Sequence, residues 1–167
     1  KKIGNSAFEG CSKLSNFIFH VNLSEIGDKA FSRCSELKVI DFQSCNNLTV
    51  IGKSAFLGCS SLSQITLSNG LNRIGFGAFK DCSALLSQLT LPESLTEIGE
   101  RAFWGCSKLP TINFEQCSNL KNIGRAAFEG CRELEKFDLK NCSGLTNIDY
   151  KNFMCFGYIT DLTLPSD

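Results

Sequence analysis

Ten cysteines and one histidine are the residues of this 167-residue chain whose types could carry chemistry. Six of the thiols recur at one offset: Cys11, Cys34, Cys59, Cys82, Cys106 and Cys131. Cys45, Cys117 and Cys142 share a second offset, and Cys155 stands alone. A zinc site needs ligands two to four residues apart or a paired histidine. The closest cysteines here, such as Cys34 and Cys45, lie 11 residues apart, and His20 is the sole histidine, so no metal ligand set is expected. A Cys–His nucleophile would need His20 beside a thiol. It follows Phe17-Ile18-Phe19 on the parity opposite to the apolar residues, which predicts a surface position. The even number of cysteines leaves disulfides as an alternative. Side chains stacked in parallel point the same way, however, and their Cβ atoms rarely converge on bridge geometry. Buried free thiols acting as small apolar fillers are the favoured reading.

No glycine-rich phosphate cradle, Gly-x-Ser-x-Gly elbow or clustered carboxylate pair is present, so no catalytic residue and no cofactor site is assigned. With 17 basic and 17 acidic residues the net charge is zero, and no basic stripe recommends a nucleic acid as partner. Uninterrupted apolar stretches are only a few residues long, too short to enter a membrane.

The cysteine offsets belong to a larger repetition. Ile-Gly-x-x-Ala-Phe-x-Gly-Cys-x-x-Leu begins at Ile3 and returns at Ile26, Ile51, Ile74, Ile98 and Ile123, with a worn copy at Ile148. The spacing is therefore 23 to 25 residues. A period of this length marks a solenoid whose units stack on one another, here one domain over residues 1–167 with about seven repeats, read as a piece of a longer array. Alternation at Ile40-Asp41-Phe42, Ile65-Thr66-Leu67, Leu89-Thr90-Leu91, Ile112-Asn113-Phe114 and Phe137-Asp138-Leu139 predicts short strands joined in one parallel sheet. Pairs such as Leu95/Ile98 and Leu120/Ile123 suggest a shorter extended piece on the opposite wall. Apolar residues four, five and eight positions after each isoleucine fit one helical or 3₁₀ turn. Phe31, Phe56, Phe79, Phe103 and Phe128 should form a core spine. The extra residue within Leu85-Leu86-Ser87-Gln88-Leu89 should appear as a local bulge.

The repeated run closely resembles the BspA-like class of leucine-rich repeats. Clear instances are Ile51-Gly52-Lys53-Ser54-Ala55-Phe56-Leu57-Gly58-Cys59-Ser60-Ser61-Leu62 and Leu91-Pro92-Glu93-Ser94-Leu95-Thr96-Glu97-Ile98-Gly99. That resemblance implies an α/β repeat solenoid: a right-handed superhelix with a parallel sheet on its concave face and short strands, 3₁₀ or helical turns elsewhere. It also implies a secreted or cell-surface module without enzymatic activity, whose partners are host matrix proteins, cell-surface proteins or glycans. An intracellular scaffold built from the same repeat is the alternative.

Outward strand positions supply the candidate contact surface: Gln64, Thr66, Gln88, Thr90, Thr111, Asn113, Lys136 and Asp138. Short, polar, mostly uncharged side chains suit a broad wet contact better than a deep pocket. Trp104 stands where other repeats carry Glu9, Ser32, Leu57, Lys80 and Glu129, which makes it a candidate exposed aromatic.

Overall fold

The computed structural model describes residues 1–146 and 159–165. Ile148, Asp149, Asn152 and Met154-Cys155-Phe156, where the seventh repeat departs from the pattern, lie outside the described residues. The rest forms a parallel β-solenoid whose strands in chain order are β1 (Lys2–Ile3), β2 (Glu25–Ile26), β3 (Val39–Asp41), β4 (Val50–Ile51), β5 (Gln64–Thr66), β6 (Arg73–Ile74), β7 (Leu89–Thr90), β8 (Glu97–Ile98), β9 (Ile112–Asn113), β10 (Asn122–Ile123), β11 (Lys136–Asp138) and β12 (Asp161–Thr163).

The sheet that runs through six rungs is β1-β2-β4-β6-β8-β10, with isoleucine above isoleucine at every step. Sequence periodicity had assigned this wall the minor role. The expected single sheet through residues 40–42, 65–67, 89–91, 112–114 and 137–139 is instead three separate parallel pairs, β3-β5, β7-β9 and β11-β12. The segments do stack in parallel, yet hydrogen bonding lapses between β5 and β7 and between β9 and β11. At the first of these lapses the extra residue is a bend at Ser87 and not a ladder bulge, because no ladder crosses that step.

Spacing explains why the first wall is continuous. Cys11, Cys34, Cys59, Cys82, Cys106 and Cys131 each lie eight residues after Ile3, Ile26, Ile51, Ile74, Ile98 and Ile123. All length variation falls elsewhere: one residue before Leu89, and two in each corner that holds Cys45, Cys117 or Cys142. Glycine completes the close approach. The Gly99 amide donates to the Ile74 carbonyl at 2.8 Å, and a Cβ on Gly99 would sit 2.6 Å from the Gly75 carbonyl carbon. Space, and not a left-handed backbone, is what this position demands.

Between the Ile-Gly corner and the cysteine, the expected helical turn is absent; the described residues contain no helix. Alternate amides point in different directions instead. Lys29, Phe31 and Arg33 donate to carbonyls of the next rung (Lys53, Ala55 and Leu57, at 2.8, 2.7 and 2.6 Å). Ala30, Ser32 and Cys34 donate three residues back within their own rung. Left-handed residues at Lys29 (φ 55°) and Arg33 (φ 61°) break any helix and turn the chain every fourth residue. The same two positions are left-handed in every repeat through Ala126 and Gly130.

Inside, Phe31, Phe56, Phe79, Phe103 and Phe128 stack as expected. Their ring centroids are 5.2–5.4 Å apart with nearly parallel planes, and each ring is fully buried. Ala30, Ala55, Ala78, Ala102 and Ala127 are also fully buried, since the rung spacing leaves no room for more than a methyl beside the spine.

Two glycines of neighbouring rungs separate the constraints. Gly99→Ala should destabilise the fold by about 1–3 kcal/mol, because its Cβ meets backbone that cannot move. Gly77→Ala should cost about 1–2 kcal/mol, the strain of a left-handed alanine without any clash and so less than Gly99→Ala: Ser54, Arg101 and Ala126 hold the same left-handed position, and a Cβ there meets nothing closer than 3.7 Å. Urea unfolding of both variants measures the difference; equal losses would contradict the close-approach account.

Candidate contact wall and the thiol column

Among the described residues nine cysteines are free; Cys11 is exposed and the other eight are buried. The main column is tied to the spine. Cys59 Sγ donates to the Phe31 carbonyl at 3.2 Å, Cys82 to Phe56 at 3.3 Å, Cys106 to Phe79 at 3.2 Å and Cys131 to Phe103 at 3.3 Å. Each of these carbonyls also accepts the cysteine amide of its own rung, for example Cys34 N–H at 3.1 Å on Phe31. The carbonyl's two lone pairs are thus both used, which a hydrocarbon at the cysteine position would leave half unmet.

Burial removes the thiolate's hydration and pushes the Cys59, Cys117 and Cys131 thiols up to about 12, and those of Cys34 and Cys142 up to about 11. Cys82 and Cys106, at the centre, are also raised by burial. These are filler thiols with a structural hydrogen bond, not nucleophiles. His20 lies on the surface as expected. Its Nδ1 accepts from the Asn22 amide at 3.1 Å and its Nε2 lies 3.2 Å from Lys1 Nζ. The neighbouring thiol, Cys45, meets only the His20 backbone carbonyl, so no Cys–His pair forms. Among the described residues no group of three or more His, Cys, Asp or Glu side chains is arranged to hold a metal ion.

All eight candidate contact residues fall on the interrupted wall. Gln64 and Thr66 lie on β5, Thr90 on β7, Asn113 on β9, and Lys136 and Asp138 on β11; Gln88 and Thr111 immediately precede β7 and β9. Seven are exposed and Asn113 is half-buried. Asn113 accepts from the Glu115 amide at 2.8 Å, and Asp138 from the Lys140 amide at 3.0 Å. That backbone bond, helped by Lys140 Nζ at 3.1 Å, holds the Asp138 carboxyl below the usual carboxylate range. Asp41 makes the same turn with Gln43 at 2.9 Å. All three belong to the repeats with two extra residues and a second cysteine, so an Asx turn opens the longer corner there. Gln64, Thr66, Gln88, Thr90, Thr111 and Lys136 have no side-chain partner among the described residues.

The continuous wall is different. Its outward residues pair with one another, Lys2 with Glu25 and Arg73 with Glu97. Trp104, the candidate exposed aromatic, is half-buried on its neighbours, with Lys80 Nζ 4.6 Å above its ring. The lysine stem and ammonium of the preceding rung cover the ring, a cation–π arrangement that uses the aromatic face internally. Gln43, which shares the outward parity of Asp41, and Gln116, which that parity does not mark, also line the interrupted wall. Their signal was the 25-residue form of the repeat, whose longer corner carries both.

The chain matches the family described as BspA type leucine rich repeat region, in six copies, over residues 1–87 and 78–167. It belongs to that family. Its structure is similar to that of the pneumococcal vaccine antigen PcpA, at 23% identity and a TM-score of 0.58, covering 99% of this chain and 48% of the antigen. It is also similar to a leucine rich cell surface protein of Faecalibacterium prausnitzii (18% identity, TM-score 0.46, 100% of this chain and 70% of that one). A leucine-rich repeat protein of Bacteroides ovatus gives 22% identity and a TM-score of 0.48, covering 98% of this chain and 64% of that one. This chain thus spans about half the antigen and about two thirds of the other two. No curated protein matches it. No helix among the described residues is long and apolar enough to cross a membrane.

The thiol column makes a testable statement. In native protein Cys59, Cys82, Cys106 and Cys131 should react slowly with a maleimide while exposed Cys11 reacts fast; in urea all should react fast. Because the folded-state pKa values lie above the ordinary thiol value of 9.0, the native state holds these protons more tightly. Their contribution to stability is complete below pH 9 and is lost as pH rises from about 9 to about 12. Rapid native labelling of the four, or a stability that rises over that range, would contradict it.

Proposed function

We propose that this chain is a non-enzymatic adhesion module that presents its interrupted wall to a protein or glycan on a cell surface. One observation carries the reading. Six of the eight outward side chains on that wall have no internal partner, whereas the opposite wall joins its charges in pairs. Exposed ion pairs are weak, but they saturate the groups involved. Unpaired amides and hydroxyls across several rungs offer donors and acceptors without a fixed charge pattern, which fits a broad hydrated contact. Membership of the repeat family and the cell-surface designation of the F. prausnitzii protein support the location. Partners of the matrix-protein or glycan class follow from the same resemblance.

A second reading, an intracellular scaffold using the same wall, is favoured by the nine free thiols among the described residues, since unbridged cysteines are common in reducing compartments. Surface biotinylation of intact cells carrying the natural protein separates the two: labelling supports the first, exclusive recovery from the cytosol the second.

For the contact wall itself, binding is measured against immobilised matrix proteins and a glycan array. Thr66→Lys combined with Thr90→Lys should weaken any saturable binding at least about tenfold, the cost of one or two lost hydrogen bonds plus a misplaced charge. Arg73→Ala, on the opposite wall, should leave it unchanged. The reverse result would place the contact elsewhere.

A further inference from the structure

The interrupted wall has three steps where successive rungs stack without a ladder, and each holds a groove. The first lies between residues 17–19 and β3, with about 360 Å³ lined mainly by Phe17, Ile18, Phe19 and Val21. The second, about 330 Å³, lies between β5 and β7. The third, about 320 Å³, lies between β9 and β11 and includes Glu115, Asp138 and Lys140. Apolar side chains dominate the first and charges mark the third. The second contains no charged residue at all.

Besides Asn69, its polar side chains come from four rungs: Gln43, Thr66, Gln88 with Thr90, and Gln116. None of these five side chains has a hydrogen-bond partner among the described residues. The floor is open as well. Where rungs are paired, the amide after the strand reaches the next rung: Phe42 N–H to the Thr66 carbonyl at 2.9 Å, Leu91 to Asn113 at 3.1 Å, and Leu139 to Thr163 at 2.8 Å. Leu67, at the corresponding place in this groove, makes no such bond, although the residue is buried. An amide with no protein acceptor on the lining of an open groove can donate to water or to a ligand.

We infer that the groove between β5 and β7 binds a neutral saccharide. The inference rests on the contact-wall reading above and names its ligand class. Carboxamides carry a donor pair and an acceptor, and threonine hydroxyls carry both, so Gln43, Gln88, Gln116, Thr66 and Thr90 can each meet a sugar hydroxyl in either sense. The Leu67 amide supplies a fixed donor at the base. Rungs about 4.8 Å apart match the length of a pyranose unit, so a short oligosaccharide can satisfy successive rungs with successive sugars. The absence of charge selects against sialylated, uronic and sulfated chains, because no cation in the lining can compensate an anion brought out of water.

The test is a titration of ¹⁵N-labelled protein with a panel of neutral oligosaccharides built from hexoses and N-acetylhexosamines, alongside sialylated and sulfated counterparts. The expected result is a saturable shift of the Leu67 backbone amide and the Gln88 side-chain amide with at least one neutral sugar, and none with its acidic form. Gln88→Ala should weaken that binding about tenfold, while Arg73→Ala leaves it unchanged. No shift with any neutral sugar, shifts centred on another part of the molecule, or unaltered affinity in Gln88→Ala would each overturn the inference. If sugars fail while a matrix protein binds and loses affinity with the Thr66→Lys/Thr90→Lys variant, the contact wall stands and the saccharide assignment falls. If sugars bind at Leu67 and no protein does, the saccharide assignment stands by itself.

Discussion

The hydrogen bond from each spine phenylalanine amide to the alanine carbonyl of the next rung is the interaction on which the rest depends. At 2.7 Å it recurs between Phe31 and Ala55, Phe56 and Ala78, Phe79 and Ala102, and Phe103 and Ala127. It fixes the rung spacing, and the spacing fixes the ring stacking at 5.2–5.4 Å. The phenylalanine carbonyl, turned the other way, takes the thiol of the following rung. One residue per rung thereby ties backbone ladder, aromatic column and thiol column together. In a linear array each unit contacts only its neighbours, so stability is the sum of many such identical interfaces.

That invariance has a consequence for the surface. From isoleucine to cysteine nothing is inserted in any described rung, and the sheet beside this edge runs unbroken through six strands. Insertions collect on the far side, at Ser87 and in the corners of Cys45, Cys117 and Cys142. There the ladder is intermittent, grooves open between rungs, and polar side chains are left for a partner. Rigid and adaptable walls are thus the two faces of one repeat, a division that lets sequence change on one side without disturbing the other.

Much of this was legible in the residues. The period, the phenylalanine spine, the buried reduced cysteines, the surface position of His20 and the outward parity of Gln64, Thr66, Gln88 and Thr90 all follow from offsets that recur. The identity of the continuous sheet did not. Alternation such as Ile65-Thr66-Leu67 records which side chains point inward, and it is the same whether or not neighbouring backbones bond. Continuity depends on close approach, whose trace is the glycine after each isoleucine, and that glycine was compatible with either a left-handed corner or a lack of space. The first of the two left-handed positions was hidden because Ser6, Lys29, Ser54, Arg101 and Ala126 occupy it. How far Trp104 is covered was not legible, because a repeat offset says nothing of Lys80 one rung away lying over its ring.

Native-state hydrogen exchange tests the central division most directly. The account predicts that the amides of Phe31, Phe56, Phe79 and Phe103 are among the slowest in the molecule and open only with global or rung-level unfolding. The Leu67 amide of the free protein, on the groove lining and without a protein acceptor, should exchange orders of magnitude faster. Slow exchange at Leu67 together with fast exchange at the phenylalanine amides would place the structural ladder on the other wall and contradict the account.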